Sequence, residues 1–232
     1  MSLAALQRDL RRRARPRKAA ILQRFFKTGP GEYGEGDRFL GVVVPDIRAV
    51  ARRFRGMPIP AFAPLLKSPF HEERLLGLLM LVDRYERGDD HEKAHVYRCY
   101  LAHMPFINNW DLVDLTAPNV VGTHLEHRSK APLSAWARSP SLWKRRIAVL
   151  ATFHYIRQGQ FDESLRLARM LLNDPEDLIH KAVGWMLREV GKRDTRILES
   201  FLRRHARRMP RTMLRYAIER FPERKRQAYM TM

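Results

Sequence analysis

The sequence predicts an all-α fold, an α-solenoid of HEAT-like helix pairs, and three observations carry that expectation. Prolines recur at Pro69, Pro105, Pro140, Pro175 and Pro210, at intervals of 36, 35, 35 and 35 residues, a period that fits one helix pair per unit. Counted from each proline, offsets +3, +7, +10 and +11 are mainly apolar. They are Trp143, Ile147, Leu150 and Ala151 in one unit and Leu178, Ala182, Trp185 and Met186 in the next, the spacing of a single buried stripe. Three of the openings set a capping residue before a helix-starting proline: Ser68-Pro69-Phe70, Ser139-Pro140-Ser141 and Asp174-Pro175-Glu176. The TPR sequence pattern is absent, which favours HEAT-like pairs.

The elements follow in order. Residues 3–26 read as one or two helices broken at Pro16, with Ile21, Leu22, Phe25 and Phe26 as the apolar stripe. The loop from Lys27 to Asp37 carries four glycines, at 29, 31, 34 and 36. Their spacing matches neither a P-loop nor a dinucleotide fingerprint, so a structural or backbone-contacting loop is expected. Pro45 opens a helix through Arg53. In the repeats, second helices are expected near 91–103, 126–138, 161–173 and 194–206. The whole chain, 1–232, reads as one domain: N-terminal helices and the glycine-rich loop over 1–60, repeats over 61–221 and a basic tail over 222–232.

Composition narrows the partners. Forty-four Lys and Arg against 25 Asp and Glu leave a net charge of +19, which predicts an anionic partner, nucleic acid ahead of a membrane surface. The longest apolar run falls far short of the roughly 18 to 20 residues that a spanning helix needs. A single Cys99 rules out an internal disulfide and a thiolate zinc site, and fits a reducing cytoplasmic compartment. Met1 to Ala20 is arginine-rich without the apolar core of a secretory signal; a mitochondrial presequence competes with a first helix of the fold, and Gln7 and Asp9 favour the helix. His91 and His95 lack the glutamate of a zinc-protease motif, and His124 with His127 has no third ligand in register, so no metal is expected. No nucleophile elbow supports Ser/His/Asp chemistry.

The stretch Asn108-Asn109-Trp110-Asp111-Leu112-Val113-Asp114-Leu115 is where chemistry concentrates. Trp110 and Asp114, four apart, share a helical face at offsets +5 and +9, roughly opposite the core stripe at 100° per residue. An indole one turn from a carboxylate attracts positive charge through both ring face and anion. Seen alone, Asp111 and Asp114 read as solvated or salt-bridged carboxylates; the large aromatic on a non-core face is what points to binding. Trp185 stands at a core offset, and both packing and ligand contact remain open for it. On the non-core side fall Arg74 and Arg145 at +5, Arg146 and Lys181 at +6, Arg188 at +13, and Arg211 and Arg215 at +1 and +5. Stacked repeats are expected to line them along a concave basic face that binds DNA phosphates.

Three blocks resemble one known family: Trp110-Asp111-Leu112-Val113-Asp114, Trp143-Lys144-Arg145-Arg146, and Lys181 to Glu189 with the sequence KAVGWMLRE. The loop from Gly31 to Val42 looks like the wider family. These are similar to the AlkD-type DNA alkylation repair proteins, HEAT-like-repeat DNA glycosylases, over most of the chain. The resemblance implies hydrolytic removal of cationic N3- and N7-alkylated purines from duplex DNA, by a monomer acting without cofactor or membrane. It implies that Asp114 is the catalytic carboxylate, that Trp110 and Trp185 contact the lesion's deoxyribose, that Arg146 holds the neighbouring phosphate, and that Arg188 and Lys192 contact the backbone further on. His154 stands where a lysine phosphate contact is expected. The alternative carried beside this reading is a non-catalytic DNA-binding HEAT-repeat protein that recognises bent, branched or damaged DNA.

Overall fold

The computed structural model describes all 232 residues and is helical throughout, with one isolated parallel bridge between Arg38 and Phe70. The chain divides into two compact units, Met1–Val120 and Val121–Met232. No helix is long and apolar enough to cross a membrane.

The first unit holds α1 (Leu3–Arg11), α2 (Pro16–Phe25), α3 (Val44–Arg53), α4 (Ile59–Phe62), α5 (His71–Arg87), α6 (Asp90–His103) and α7 (Trp110–Asp114). The break expected at Pro16 and the helix expected from Pro45 to Arg53 are both present, Pro16 and Pro45 standing in first turns. Helix α5 is the centre of the unit, packing against α3, α6 and α7. Every one of its first twelve residues, His71 to Val82, is buried, including the four charged or ionisable residues of its first turn. Buried charge requires partners, and each has them. Glu73 accepts from Gln7, Arg11 and Ser68, which ties α1 down. Glu72 accepts three backbone N–H groups, from Leu40, Gly41 and Val42, at 2.9, 2.7 and 3.2 Å. The loop reaches Glu72 because Gly41 takes a positive φ of 81° and passes so close to α2 that a Cβ there would lie 2.2 Å from the Arg15 carbonyl oxygen. Within the glycine-rich loop, Gly34 makes the close approach: its N–H donates to the Lys27 carbonyl at 3.0 Å and a Cβ there would lie 2.5 Å from the Phe26 carbonyl oxygen.

The second unit holds α8 (Thr123–Leu125), α9 (Ala131–Ala137), α10 (Leu142–Ala151), α11 (Phe153–Arg157), α12 (Asp162–Met170), α13 (Asp177–Arg193), α14 (Thr195–His205), α15 (Arg211–Ala217) and α16 (Glu223–Met230). Helices α10, α13 and α15 pack side by side in chain order, while α9 packs on α10 and both α12 and α14 pack on α13. This is the two-layer order of an α-solenoid. At the expected core offsets, Ile147, Leu150, Ala151, Ala182 and Met186 are buried, and Trp143, Leu178 and Trp185 are half-buried at the stripe's edge. Gly184 allows the closest approach: a Cβ there would meet the Met213 carbonyl oxygen of α15 at 2.5 Å. The tail is not loose but forms α16.

The repeat is legible in hydrogen bonds as well as spacing, with one correction. Ser68, Ser139 and Asp174 do not cap helices; each side chain accepts the N–H two residues on, across the proline, at 3.1, 3.1 and 3.0 Å. The helices begin later, with Phe70, Ser141 and Glu176 at the N-cap. The residue at offset +5 then reaches back to the carbonyl oxygen ahead of each proline: Arg74 to Ser68, Arg145 to Ser139 and His180 to Asp174, at 2.8, 3.0 and 2.5 Å. Pro105 departs from this pattern. It lies in a short 3-10 turn, Met104–Phe106, and α7 begins five residues after it, with Asn109 as N-cap.

Replacing Glu72 with Gln removes the charge and turns an amide N–H₂ toward three donors. Hydrogen bonds to charged groups contribute roughly 1.5–3 kcal/mol each when a partner is lost, so Glu72→Gln is expected to lower stability by about 2–4 kcal/mol. Urea unfolding monitored by circular dichroism measures the loss.

Candidate functional site

The candidate site is described in the two units separately. In the N-terminal unit, α7 carries Trp110 and Asp114 one turn apart on a five-residue helix. Trp110 is partly buried. One side of its indole stacks on Phe26, with centroids 5.1 Å apart and planes 21° from parallel, and the edge of Phe25 meets it at 6.0 Å. Phe26 in turn stacks on Phe39 and lies against His71. The indole thus sits on a column of rings rather than on mobile surface side chains. Phe25 is 61% exposed, an unusual position for a large apolar ring, and it belongs to the same aromatic patch.

The base of that column is ionic. His71 lies between two carboxylates, its Nδ1 3.2 Å from Asp37 and its Nε2 2.8 Å from Asp111. Arg74 donates to Asp37 at 2.6 Å and to Asn108 at 2.9 Å, and Asn108 donates to Asp37 at 3.0 Å. Burial pulls the His71 pKa down, but the charge and hydrogen bond of Asp111, with a further bond to Asp37, override it and raise the value to about 9. Asp37 itself is held below the usual carboxylate range, burial being outweighed by His71, Arg74 and Asn108. Asp111, for which the sequence leaves solvated and salt-bridged readings open, is salt-bridged: it is buried and its pairing with His71 fixes α7 to α5.

Asp114 closes α7 and is half-buried, neither sealed nor fully exposed. Its charge helps burial push the Tyr100 hydroxyl above its ordinary pKa. Just beyond it the helix is broken: Thr116 donates to the Leu112 carbonyl at 2.5 Å, and Pro118–Gly122 winds as a π-turn. Such turns release a helix from regular register, here directly after the carboxylate.

In the C-terminal unit, Trp185 is half-buried against Phe153, with centroids 5.7 Å apart. Its indole N–H donates to Glu189, one turn on. Glu189 is 6% exposed and binds Lys192 at 2.6 Å and Arg193 at 3.3 Å, with Arg188 3.9 Å away. Burial raises the carboxyl, yet Lys192, Arg193 and Trp185 together hold it below its ordinary value. Trp185 therefore packs and also presents an edge; the two readings left open by the sequence are not exclusive.

The cations expected to bind phosphate fall into different settings. Arg145 is turned inward: it forms a two-point pair with Asp174, 2.7 and 3.3 Å, and donates to the Ser139 and Pro140 carbonyls. That geometry takes its guanidinium out of the outer surface, because an offset of +5 in this repeat is a helix-opening position and not an exposed one. Arg74 is buried for the same reason. Arg146 is 5% exposed and donates to the Leu178 carbonyl at 2.6 Å, among other contacts. Lys181 pairs with Asp177 at 2.8 Å, Arg188 with Glu219, and Lys192 with Glu189 while remaining partly exposed. Arg215 is exposed with no carboxylate beside it. His154 is held by Glu126 at 2.9 Å and Thr123 at 3.3 Å, so it serves the local structure.

The sequence reading missed His71, Asp37, Asn108, Phe25 and Glu189. Glu189 was within reach, since it stands four residues from Trp185 on one helix. The others join across 34 to 85 residues of chain, which no local spacing reveals.

A family model described as DNA alkylation repair enzyme matches residues 6–221. Comparison with curated proteins returns no match. Among solved structures, a protein of Enterococcus faecalis described as a predicted DNA alkylation repair enzyme is similar over 91% of this chain and 98% of its own, with a TM-score of 0.70 and 15% identity. At that identity the likeness speaks for the fold.

The raised His71 pKa has a definite pH signature. Its value of about 9 in the folded chain exceeds the ordinary 6.5, so its stabilisation is complete below pH 6.5 and is lost as pH rises through 9. Melting temperature is expected to fall between these limits, and to fall much less in Asp111→Asn, which removes the main source of the shift. Differential scanning calorimetry at pH 6.5 and 9.5 compares the two.

Proposed function

The chain belongs to the DNA alkylation repair enzyme family, and from that premise we propose that it hydrolyses the N-glycosidic bond of cationic N3- and N7-alkylated purines in duplex DNA, leaving an abasic site. The observation that carries the reading is the pairing on α7 of a partly buried, ring-supported indole with an equally partly buried carboxylate one turn away.

The chemistry matches this pairing. An alkylated purine already carries positive charge and departs as a neutral base, so no general acid is needed. Charge develops on the sugar instead, as in other glycosidic cleavages that pass through an oxocarbenium-like state. The carboxylate of Asp114 stabilises that charge and orients the attacking water. The indole faces of Trp110 and Trp185 favour polarised sugar C–H groups and cations. No lysine nucleophile or cofactor enters, and the product is an abasic site with no strand break.

On this reading the net charge of +19 draws in duplex DNA, Arg215 and Lys192 meet the backbone, and Arg146 holds the phosphate beside the lesion. Arg188 and Lys181 contribute to the same basic surface. Arg145, engaged by Asp174, acts on structure rather than on DNA.

Methylated duplex DNA incubated with the protein is expected to release free 7-methylguanine or 3-methyladenine, read by chromatography. Removing one electrostatic stabiliser of a transition state slows chemistry by about 100- to 1,000-fold. Asp114→Asn is expected to show a loss of that order with duplex affinity largely kept. Absence of any base release at high enzyme concentration, together with tight and salt-sensitive DNA binding, overturns the catalytic assignment in favour of a DNA-binding scaffold.

A further inference from the structure

We propose that the groove between α12 and α14 is a nucleotide-binding site: it takes a phosphate ester that carries a flat ring. The groove lies wholly within the C-terminal unit and has a volume of about 950 Å³. Pockets for small ligands typically span roughly 300–1,000 Å³. None of Trp185, Arg146, Arg188 or Lys192 lines it, so it is distinct from the candidate glycosylase residues of that unit.

Three features define its occupant. The first is uncompensated positive charge. Arg169 of α12 and Arg204 of α14 line the groove, and with Arg208 they surround His205. Burial, and then Arg169, Arg208 and Arg204, hold the His205 imidazole below its ordinary pKa. No carboxylate pairs with any of these three arginines, whereas Arg166 is neutralised by Glu163, Arg188 by Glu219 and Arg145 by Asp174. Guanidinium groups converging on one cavity match a phosphate in charge and geometry.

The second feature is an aromatic wall. Phe201 lies against the His205 ring with centroids 4.6 Å apart, and Phe161 lines the same groove. A bare phosphate ion uses neither the rings nor the volume; a phosphate attached to a planar base uses both. The third is the distribution of acids on the opposite rim. Glu163 is engaged by Arg166, and Asp194 accepts the N–H groups of Arg196 and Ile197 at the start of α14. Asp162, in the first turn of α12, is left to accept from an amino or hydroxyl group of the ligand. The same three carboxylates oppose a continuous DNA backbone, whose successive phosphates would meet them, and so favour a compact ligand.

The test uses the full chain in isothermal titration calorimetry with AMP, inorganic phosphate and adenosine. AMP is expected to bind one to one and more tightly than either fragment, and Arg169→Ala and Arg204→Ala are each expected to weaken it at least about tenfold. Base release from methylated DNA is unchanged in both variants, and circular dichroism confirms that they fold. Absence of saturable AMP binding, affinity indifferent to both substitutions, equal affinity for inorganic phosphate, or displacement of AMP by undamaged duplex DNA would each overturn the proposal.

Discussion

The first turn of α5 is the constraint on which the N-terminal unit depends. His71, Glu72, Glu73 and Arg74 are consecutive, ionisable and buried, an arrangement that is strongly unfavourable unless every charge finds a partner. The partners come from four separate segments. Glu73 recruits α1, Glu72 the backbone at 40–42, Arg74 the Asp37 loop and Asn108, and His71 both Asp37 and Asp111. Satisfying these groups therefore dictates where the glycine-rich loop runs and where α7 starts. The indole of Trp110 inherits its position from that requirement, through Asp111 below it and Phe26 beside it.

The same electrostatic economy divides the arginines of the repeats. A position five residues after each repeat proline lies at the opening turn of a helix, where carbonyl groups of the preceding loop are in reach. Arg74, Arg145 and His180 fill it and donate inward. In the second repeat Pro105 stands in a 3-10 turn and the helix starts late, so the residue at the same count is Trp110, the first of its helix. The units opened by Pro105 and Pro210 depart from this pattern, with Trp110 and the exposed Arg215 at the same count, and the first does so where the proposed chemistry needs a large ring.

That division explains what was legible in the chain. The proline period, the apolar offsets and the break at Pro16 are local properties, and they place α3, α6, α12 and α14 closely, while α7 and α9 start five residues later than expected and the short α4, α8 and α11 leave no such signal. The face assigned to the arginines was less secure, because 100° per residue places a side chain around a helix axis but says nothing about a carbonyl arriving from a neighbouring loop. Arg145 illustrates the limit: its spacing is that of a surface residue, yet it donates to carbonyls of its own opening loop and to Asp174 from the next repeat. Trp110 and Asp114 were recognisable from an i, i+4 pair of unusual composition. Their support, His71 and Asp37 especially, was not, since it is assembled from residues far apart in sequence and charged residues are ordinarily expected outside.

A strongly basic protein proposed to act on a cationic lesion faces opposed demands, and range resolves them. Attraction of the duplex is a long-distance effect of net charge, felt out to about a Debye length of 8–10 Å at ordinary ionic strength. Stabilisation of a developing sugar cation is a contact effect, and it needs negative charge only at the reacting atoms. Each tryptophan has a carboxylate one turn away on its own helix, and the two carboxylates are set differently. Glu189 is buried under Trp185 and balanced by Lys192 and Arg193, so it anchors an indole while adding little to the outer field. Asp114 closes α7 one turn from Trp110 and is partly buried, so on the proposed reading its charge acts at short range while the net charge of the chain acts at long range.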